Sequence, residues 1–154
     1  RKGHFEGVLD VMNKLTKIVK PKKIFMGEKD FQQLYLVKKE LEKKYKTKVI
    51  PCKTIRDKDN VALSSRNLLL NKSNLTIAAK IYETLVDIKK NTKNKKNIPS
   101  FLNLKKKELK NNYKIKIDYL ELRNIKNLKL SNTKNNSRLF IAYYLKNVRL
   151  IDNL

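Results

Sequence analysis

Four consecutive residues, Gly27-Glu28-Lys29-Asp30, combine side chains and a position that suit anion binding. They follow the short apolar run Lys23–Met26, which predicts a buried strand, and they precede a helical pattern. Ligands of parallel sheets bind beyond the carboxyl ends of the strands, where a glycine allows close approach of the backbone. A helix N-terminus and the charge of Lys29 would both attract phosphate. Taken alone, the segment is more typical of an ordinary turn in which Asp30 caps the helix.

A second segment, Leu63-Ser64-Ser65-Arg66-Asn67, has residue types that can hold a polyphosphate. Adjacent hydroxyls donate hydrogen bonds, and a guanidinium forms a bidentate charge pair with phosphate oxygens. The alternative is a surface turn whose serines cap a helix. Successive strands of one parallel unit would bring this segment and Gly27–Asp30 to the same edge of the sheet. Together the two segments therefore predict a site for a nucleoside triphosphate.

The other polar residues are less specific. Gln32 and Gln33 would lie in the first turn of the helix after Gly27, where a carboxamide could hold a small substrate or simply cap the helix. His4 is the only histidine, which excludes a histidine-rich metal site. Cys52 is the only cysteine, which excludes an internal disulfide, and we expect it to pack in a core. We predict no metal ligands from the protein itself.

The elements that must position these segments can be predicted from periodicity. The spacing predicts a helix from His4 to Lys20, the strand Lys23–Met26, a helix that begins with the capping pair Asp30 and Gln33, and a strand at Lys48–Ile50. This order of strand, helix and strand is the unit that builds parallel sheets. We place a domain boundary near the end of the polar stretch that follows, which gives domains 1–63 and 64–154.

The second domain is predicted to mix helices with an antiparallel sheet. A strong helical pattern covers 71–91, a polar linker covers 91–97, and Pro99 opens a helix that reaches about Asn111. Three strand-like segments follow with short connections: Lys114–Leu122, Arg138–Leu145 and Arg149–Ile151.

The net charge of +24 would normally suggest a nucleic acid or an anionic membrane as partner. The 38 basic residues are 32 Lys and only 6 Arg, however, whereas nucleic-acid readers favour Arg. The abundance of Lys, Asn and Ile is typical of an AT-rich genome, so we attribute most of the charge to composition and expect no specific nucleic acid. No apolar run has the roughly 18 residues that span a bilayer, no signal peptide is visible, and a cytoplasmic location is expected.

Several of these motifs resemble one enzyme family. Arg1–Val8 is similar to the Arg-Pro-Gly-His-Phe-Asp-Gly-Val segment of pantoate–β-alanine ligases, also called pantothenate synthetases. Met26–Leu34 is similar to their Phe-Gly-Glu-Lys-Asp-Tyr-Gln-Gln-Leu, and Leu63–Asn67 matches their nucleotide-binding loop. Asp118–Glu121 and Arg149–Asn153 also fit the C-terminal domain of that family.

The resemblance implies an α/β fold, in which the second half of a Rossmann-like nucleotidyltransferase domain is followed by a small α+β domain with an antiparallel sheet. It also implies a ligase of the coenzyme A pathway that uses ATP with Mg²⁺. Pantoate would attack the α-phosphate of ATP to give pantoyl adenylate and pyrophosphate, and the amine of β-alanine would then displace AMP. The family further implies a homodimer.

The resemblance also implies roles for individual residues. The ATP site would comprise Gly27, Glu28, Lys29, Asp30, Ile55, Leu63, Ser64, Ser65 and Arg66. Within it, Lys29 would be catalytic at the α-phosphate, and Gly27 with Asp30 would meet the ribose. Ile55 would touch the adenine, and the serines with Arg66 would hold the β- and γ-phosphates. Gln33 would hold pantoate.

The chain also departs from the family pattern. The glycine- and histidine-rich phosphate motif and a further pantoate-binding glutamine of the family are not found in it. Lys2 and Lys53 stand where the family has proline, and Met26 replaces an aromatic residue. We therefore expect this chain to be inactive and prone to aggregation on its own. The alternatives are an inactive fragment, a dimerisation scaffold or a basic nucleic-acid-binding module.

Overall fold

The computed structural model describes residues 3–92 and 97–154, and it divides into two compact units, Arg1–Thr54 and Ile55–Leu154. Arg1 and Lys2 of the N-terminal motif lie outside the described residues, as do residues 93–96 of the predicted linker. Each unit has its own hydrophobic core and is described separately below.

Unit 1 contains two helices and a pair of parallel strands. Its elements in chain order are α1 (His4–Val19), β1 (Lys23–Gly27), a one-turn 3-10 helix (Glu28–Asp30), α2 (Phe31–Lys44) and β2 (Lys48–Cys52). Strands β1 and β2 are parallel, with Lys23 opposite Lys48 and Gly27 opposite Cys52. The predicted order of strand, helix and strand is therefore confirmed.

The core of unit 1 is built on one face of α2. Leu34, Val37 and Leu41 recur at the helical spacing and are buried together with Val49 of β2. The hydroxyl of Thr47 donates to the carbonyl oxygen of Pro21 at 2.6 Å, which ties the start of β2 to the start of β1. These contacts hold α2 against β2 and join the starts of the two strands.

Helix α1 carries apolar side chains that this core does not cover. Val8, Leu9 and Met12 pack against the core, whereas Val11, Leu15, Ile18 and Val19 are between 51% and 77% exposed. We call these last four residues the apolar stripe of α1. An amphipathic helix normally buries such residues, so the stripe departs from ordinary packing.

Unit 2 begins with an irregular segment and continues into two helices and a three-stranded sheet. Its elements are a 3-10 helix (Ser65–Leu69), α3 (Lys72–Asn91), α4 (Ile98–Tyr113), β3 (Lys116–Asn124), β4 (Ser137–Leu145) and β5 (Val148–Asn153). The sheet is antiparallel with β4 between β3 and β5. The predicted helices and strands are confirmed with shifts of a few residues at their ends.

The core of unit 2 lies between the sheet and the helices α3 and α4. Alternate residues of β4 from Leu139 to Leu145 are buried against one face of α3, which includes Ile81, Leu85 and Ile88. Side-chain caps start both helices: the carboxamide oxygen of Asn71 accepts from the amide of Asn74, and that of Asn97 accepts from Ser100. These caps satisfy amides that would otherwise lack partners.

The segment 55–63 belongs to unit 2, whereas the predicted boundary lies after residue 63. Its backbone folds back on itself, and its Arg56 side chain reaches Asp152 of β5, so local polarity alone does not mark the division. The division into domains 1–63 and 64–154 concerns function and stays a prediction. Among the described residues, no helix is both long and apolar enough to cross a membrane.

Candidate nucleotide-binding site

The turn at Gly27 connects β1 to α2 through a single turn of 3-10 helix. Gly27 has a φ of −69° and a ψ of 135°, which any residue can adopt. A Cβ atom built on Gly27 would meet no heavy atom within 4 Å. Neither the local backbone nor packing within this chain therefore requires a glycine, and the space beside it is open.

The residues after Gly27 extend this turn. Glu28 and Lys29 are half-buried, and each interacts with another group, whereas Asp30 is exposed. The prediction that Asp30 caps α2 is wrong, because its side chain makes no capping hydrogen bond. The 3-10 turn runs directly into α2, so the chain is already turning before the position where a cap would act. Gln33 is half-buried in the first turn of α2.

The Ser64–Arg66 turn forms the N-terminus of the short 3-10 helix Ser65–Leu69. Ser64 has an extended backbone, and its Oγ accepts from the amide of Arg66 at 3.3 Å. Its carbonyl oxygen accepts from the amide of Asn67 at 3.0 Å. The structural alternative, a serine that caps a helix, therefore holds for Ser64, whereas Ser65 and Arg66 are exposed.

The segment before this turn is a hairpin, 55–63, with a tightly bonded tip. The amide of Leu63 donates to the carbonyl oxygen of Ile55 at 3.0 Å, which closes its base. The carboxylate of Asp57 accepts from the amides of Asp59 and Val61 at 3.0 and 2.8 Å, an arrangement that shapes the tip. Ile55 is 72% exposed and Leu63 is 52% exposed, so the hairpin presents two apolar side chains to solvent at its base.

Arg56 anchors this hairpin, although the sequence analysis did not select it. Its guanidinium donates to both carboxylate oxygens of Asp152 at 2.7 and 2.8 Å and to the carbonyl oxygen of Asn60 at 3.0 Å. The guanidinium also lies 4.1 Å from the centre of the Tyr82 ring, a cation–π contact. Burial alone would lower the pKa of Arg56, but the hydrogen bonds and charge of Asp152 raise it above its ordinary value.

Tyr143 lies in the same part of unit 2 and has a strongly shifted pKa. Burial, and then the negative charge of Asp152, raise the pKa of Tyr143 well above its ordinary value, and Arg56 partly offsets this rise.

The sequence gives only a weak hint of the pair formed by Arg56 and Asp152. Asp152 interrupts an apolar strand, and Arg56 stands in a loop rich in Asp and Lys. Neither residue indicates its partner, because they are 96 positions apart.

Metal-ligating side chains are sparse. Within residues 3–92 and 97–154, no group of three or more His, Cys, Asp or Glu side chains is arranged to hold a metal ion. His4 is exposed at the start of α1, where its ring lies 5.4 Å from that of Phe5. Cys52 is exposed at the end of β2, and the expectation that it packs in a core is wrong.

The comparison with protein families identifies the family of this chain. Residues 1–154 match the family model described as Pantoate-beta-alanine ligase. The chain belongs to this family. A pantothenate synthetase of Flavobacterium psychrophilum is 38% identical over 160 residues, which cover 100% of this chain and 56% of the relative. One from Francisella tularensis is 37% identical over 155 residues, which cover 99% of this chain and 51% of the relative.

Solved structures of the ligase family confirm the predicted fold class. The crystal structure of a pantothenate synthetase from Thermus thermophilus matches with a TM-score of 0.89 at 29% identity, and the match covers 100% of this chain and 56% of that one. A pantoate-beta-alanine ligase from Francisella tularensis, described as complexed with beta-gamma ATP and beta-alanine, matches with a TM-score of 0.72 at 36% identity. That match covers 100% of this chain and 51% of the Francisella chain. The chain thus spans about half the length of the relatives it matches.

Proposed function

We propose that this chain is the ATP-gripping part of a pantoate–β-alanine ligase, which joins pantoate to β-alanine through a pantoyl-adenylate intermediate. The observation that carries the proposal is the turn at Gly27. Gly27 stands at the carboxyl end of a parallel strand, where neither its backbone conformation nor the packing around it requires a glycine. A ligand that approaches the backbone at this point would explain why the residue has no side chain. The proposal is further supported by family membership over the whole chain.

In the first step the residues of this chain position anions and offset charge. Lys29 lies two residues after Gly27, on the 3-10 turn, and would stabilise the negative charge that develops on the α-phosphate of ATP. Gly27 and Asp30 would contact the ribose of the nucleotide, and Glu28 would also belong to the ATP site. The carboxylate oxygen of pantoate attacks the α-phosphorus, the bond to the pyrophosphate breaks, and pyrophosphate leaves with the electron pair.

The Ser64–Arg66 turn would hold the β- and γ-phosphates. Its exposed Ser65 hydroxyl and Arg66 guanidinium can donate to phosphate oxygens, and Ile55 and Leu63 would provide apolar contacts at the base of the neighbouring hairpin. Mg²⁺ would enter with ATP on the phosphate oxygens, because the described residues offer it no ligand cluster of their own.

Gln33 would hold pantoate beside Lys29, since the two side chains lie on adjoining turns. The carboxamide can both donate to a carboxylate or hydroxyl and accept from a hydroxyl. In the second step the amine of β-alanine attacks the acyl carbon of the adenylate, and AMP leaves. By the same resemblance, the full-length enzyme would be a cytoplasmic homodimer.

The test is pantothenate formation from pantoate, β-alanine and MgATP by the full-length protein, compared with its Lys29→Ala variant. We expect a loss of about 10²–10³-fold in kcat, the scale for removal of one group that stabilises a transition state. Lys43→Ala is the matched control, because Lys43 is an exposed lysine near the other end of α2. The control should retain full activity.

A full-length protein that folds but forms no pantothenate would refute the proposal. Equal activity of wild type and Lys29→Ala would refute the role of Lys29 and leave the ligase assignment standing. If the inactive protein instead bound duplex DNA with a steep dependence on salt, the basic nucleic-acid-binding alternative would replace the ligase.

A further inference from the structure

We infer that Arg56 and Asp152 are positioning residues, which hold the Ser64–Arg66 turn in the geometry that grips the phosphates of ATP. The inference rests on the proposed function, because it concerns how the same site is held in place. Neither residue needs to touch the nucleotide. Their contribution is to attach a surface hairpin and the turn after it to the C-terminal sheet.

Hydrogen bonds and the backbone of the hairpin together connect the pair to the turn. Asp152 lies in β5 and accepts hydrogen bonds from both arms of the Arg56 guanidinium. Arg56 lies opposite Ala62 in the hairpin, and the flanking backbone bonds, Asp57 to Val61 and Leu63 to Ile55, are both 3.0 Å long. The carbonyl oxygen of Ala62 accepts from the side-chain amide of Asn67 at 3.1 Å. The backbone amide of Asn67 in turn donates to the carbonyl oxygen of Ser64 at 3.0 Å. The paired backbone of the hairpin carries the connection from Arg56 to Ala62, and hydrogen bonds of ordinary length carry it from Ala62 to the turn. We therefore expect the turn to follow the position of Arg56.

The Arg56–Asp152 pair is better suited to a positioning role than an ion pair on the surface would be. The side chains of Arg56 and Asp152 are only 15% and 9% exposed, so little solvent screens them. A bidentate guanidinium fixes orientation as well as distance, and the ring of Tyr82 limits movement of the guanidinium plane. The third bond, to the carbonyl oxygen of Asn60, locks the tip of the hairpin to the same group.

The test uses Arg56→Lys in the full-length enzyme, because this change keeps the charge and loses the bidentate, stacked geometry. Arg149→Lys is the matched control. Arg149 pairs with Asp118 on the same sheet at 2.8 Å, but the two side chains are 33% and 29% exposed and lie outside the hairpin. Two readouts are measured for both variants: the KM values for ATP and β-alanine, and amide hydrogen exchange at Val61, Leu63 and Asn67.

We expect Arg56→Lys to raise the KM for ATP about tenfold and to speed exchange at these three amides about tenfold, the effect of losing one charge-assisted hydrogen bond. The KM for β-alanine and exchange at Ile141 in β4 should stay unchanged. A purely structural role would lower the amount of active enzyme and so reduce kcat without changing either KM. Asp152→Glu, which restores a carboxylate one methylene further out, should raise the KM for ATP less than Asp152→Asn does.

An unchanged KM for ATP in Arg56→Lys, or unchanged exchange in the hairpin, would overturn the inference while leaving the ligase assignment intact. Equal effects of Arg56→Lys and Arg149→Lys would also overturn it, because the effect would then belong to the sheet in general. Failure of the wild-type enzyme to form pantothenate would refute the proposed function, and this inference with it.

Discussion

The apolar stripe of α1 makes a measurable prediction about the chain studied alone. Ile18 is its most exposed member, at 77%. Replacing it with lysine should change the stability of the folded unit by no more than about 0.5 kcal/mol, as for other surface positions. Association of the chain with itself should nevertheless weaken strongly, because the stripe is the surface that two copies would cover.

The magnitude follows from the exposed fraction. Full burial of an isoleucine side chain contributes about 1.5–3 kcal/mol. Ile18 is about three-quarters exposed, so about three-quarters of this free energy can still be gained when the side chain is buried. A symmetric dimer would bury Ile18 of both copies, which gives roughly 2–4 kcal/mol per dimer. At about 1.4 kcal/mol per tenfold change, Ile18→Lys should weaken self-association by at least about 30-fold.

Light scattering and sedimentation of the 154-residue chain over a range of concentrations measure this effect. Asn103→Lys is the control, because it adds the same charge at an exposed position of α4 without removing apolar surface. A wild-type chain that stays a monodisperse monomer with a sharp, cooperative thermal transition would refute the reasoning. Equal effects of the two lysines would assign the change to charge repulsion instead of the stripe.

Three further predictions concern unit 2. Leu85 is 1% exposed, so Leu85→Ala should lower the free energy of unfolding by about 2–5 kcal/mol, as measured by chemical denaturation; a loss below about 1 kcal/mol would mean that the core closes around the cavity. Asp152→Asn should cost about 3 kcal/mol because it leaves Arg56 buried without its carboxylate, and adding Arg56→Met should recover part of that loss; strictly additive losses would argue against a direct coupling. The raised pKa of Tyr143 means that the folded state favours the neutral phenol, so the stability it contributes is complete below about pH 10 and declines as the pH rises further. Thermal unfolding of Tyr143→Phe should therefore show a weaker alkaline decline than wild type, and parallel pH profiles would contradict this.

Much of the fold could be predicted because its signals are local. The strand that ends at Gly27 is short, apolar and followed by a helical repeat, and α3 shows its buried face in its spacing. The motif around Lys29 and the Ser64–Arg66 turn could be selected because the residue types are unusual together. Their roles stay predictions, and so does the expectation that both turns face one crevice.

The features that could not be predicted depend on long-range contacts. The polar stretch after residue 54 gives no strand pattern, but it forms a hairpin whose Arg56 contacts Asp152 and Tyr82. The sequence near Asp57 does carry a turn signal in its run of Asp and Asn, yet nothing local gives its attachment to β5. Asp30 shows the opposite error, since a local capping pattern was overridden by the 3-10 turn before it.

The separation of Arg56 from Asp152 also has a consequence for how the protein is made. The two residues are 96 positions apart, and a ribosome adds about 5–20 residues per second, so roughly 5–20 s pass between their synthesis. During that interval the nascent hairpin has no carboxylate to hold its guanidinium, and the turn after it cannot be fixed. The Ser64–Arg66 turn is therefore synthesised before β5, but its anchor to the sheet is completed only after β5 has been translated and joined to the sheet.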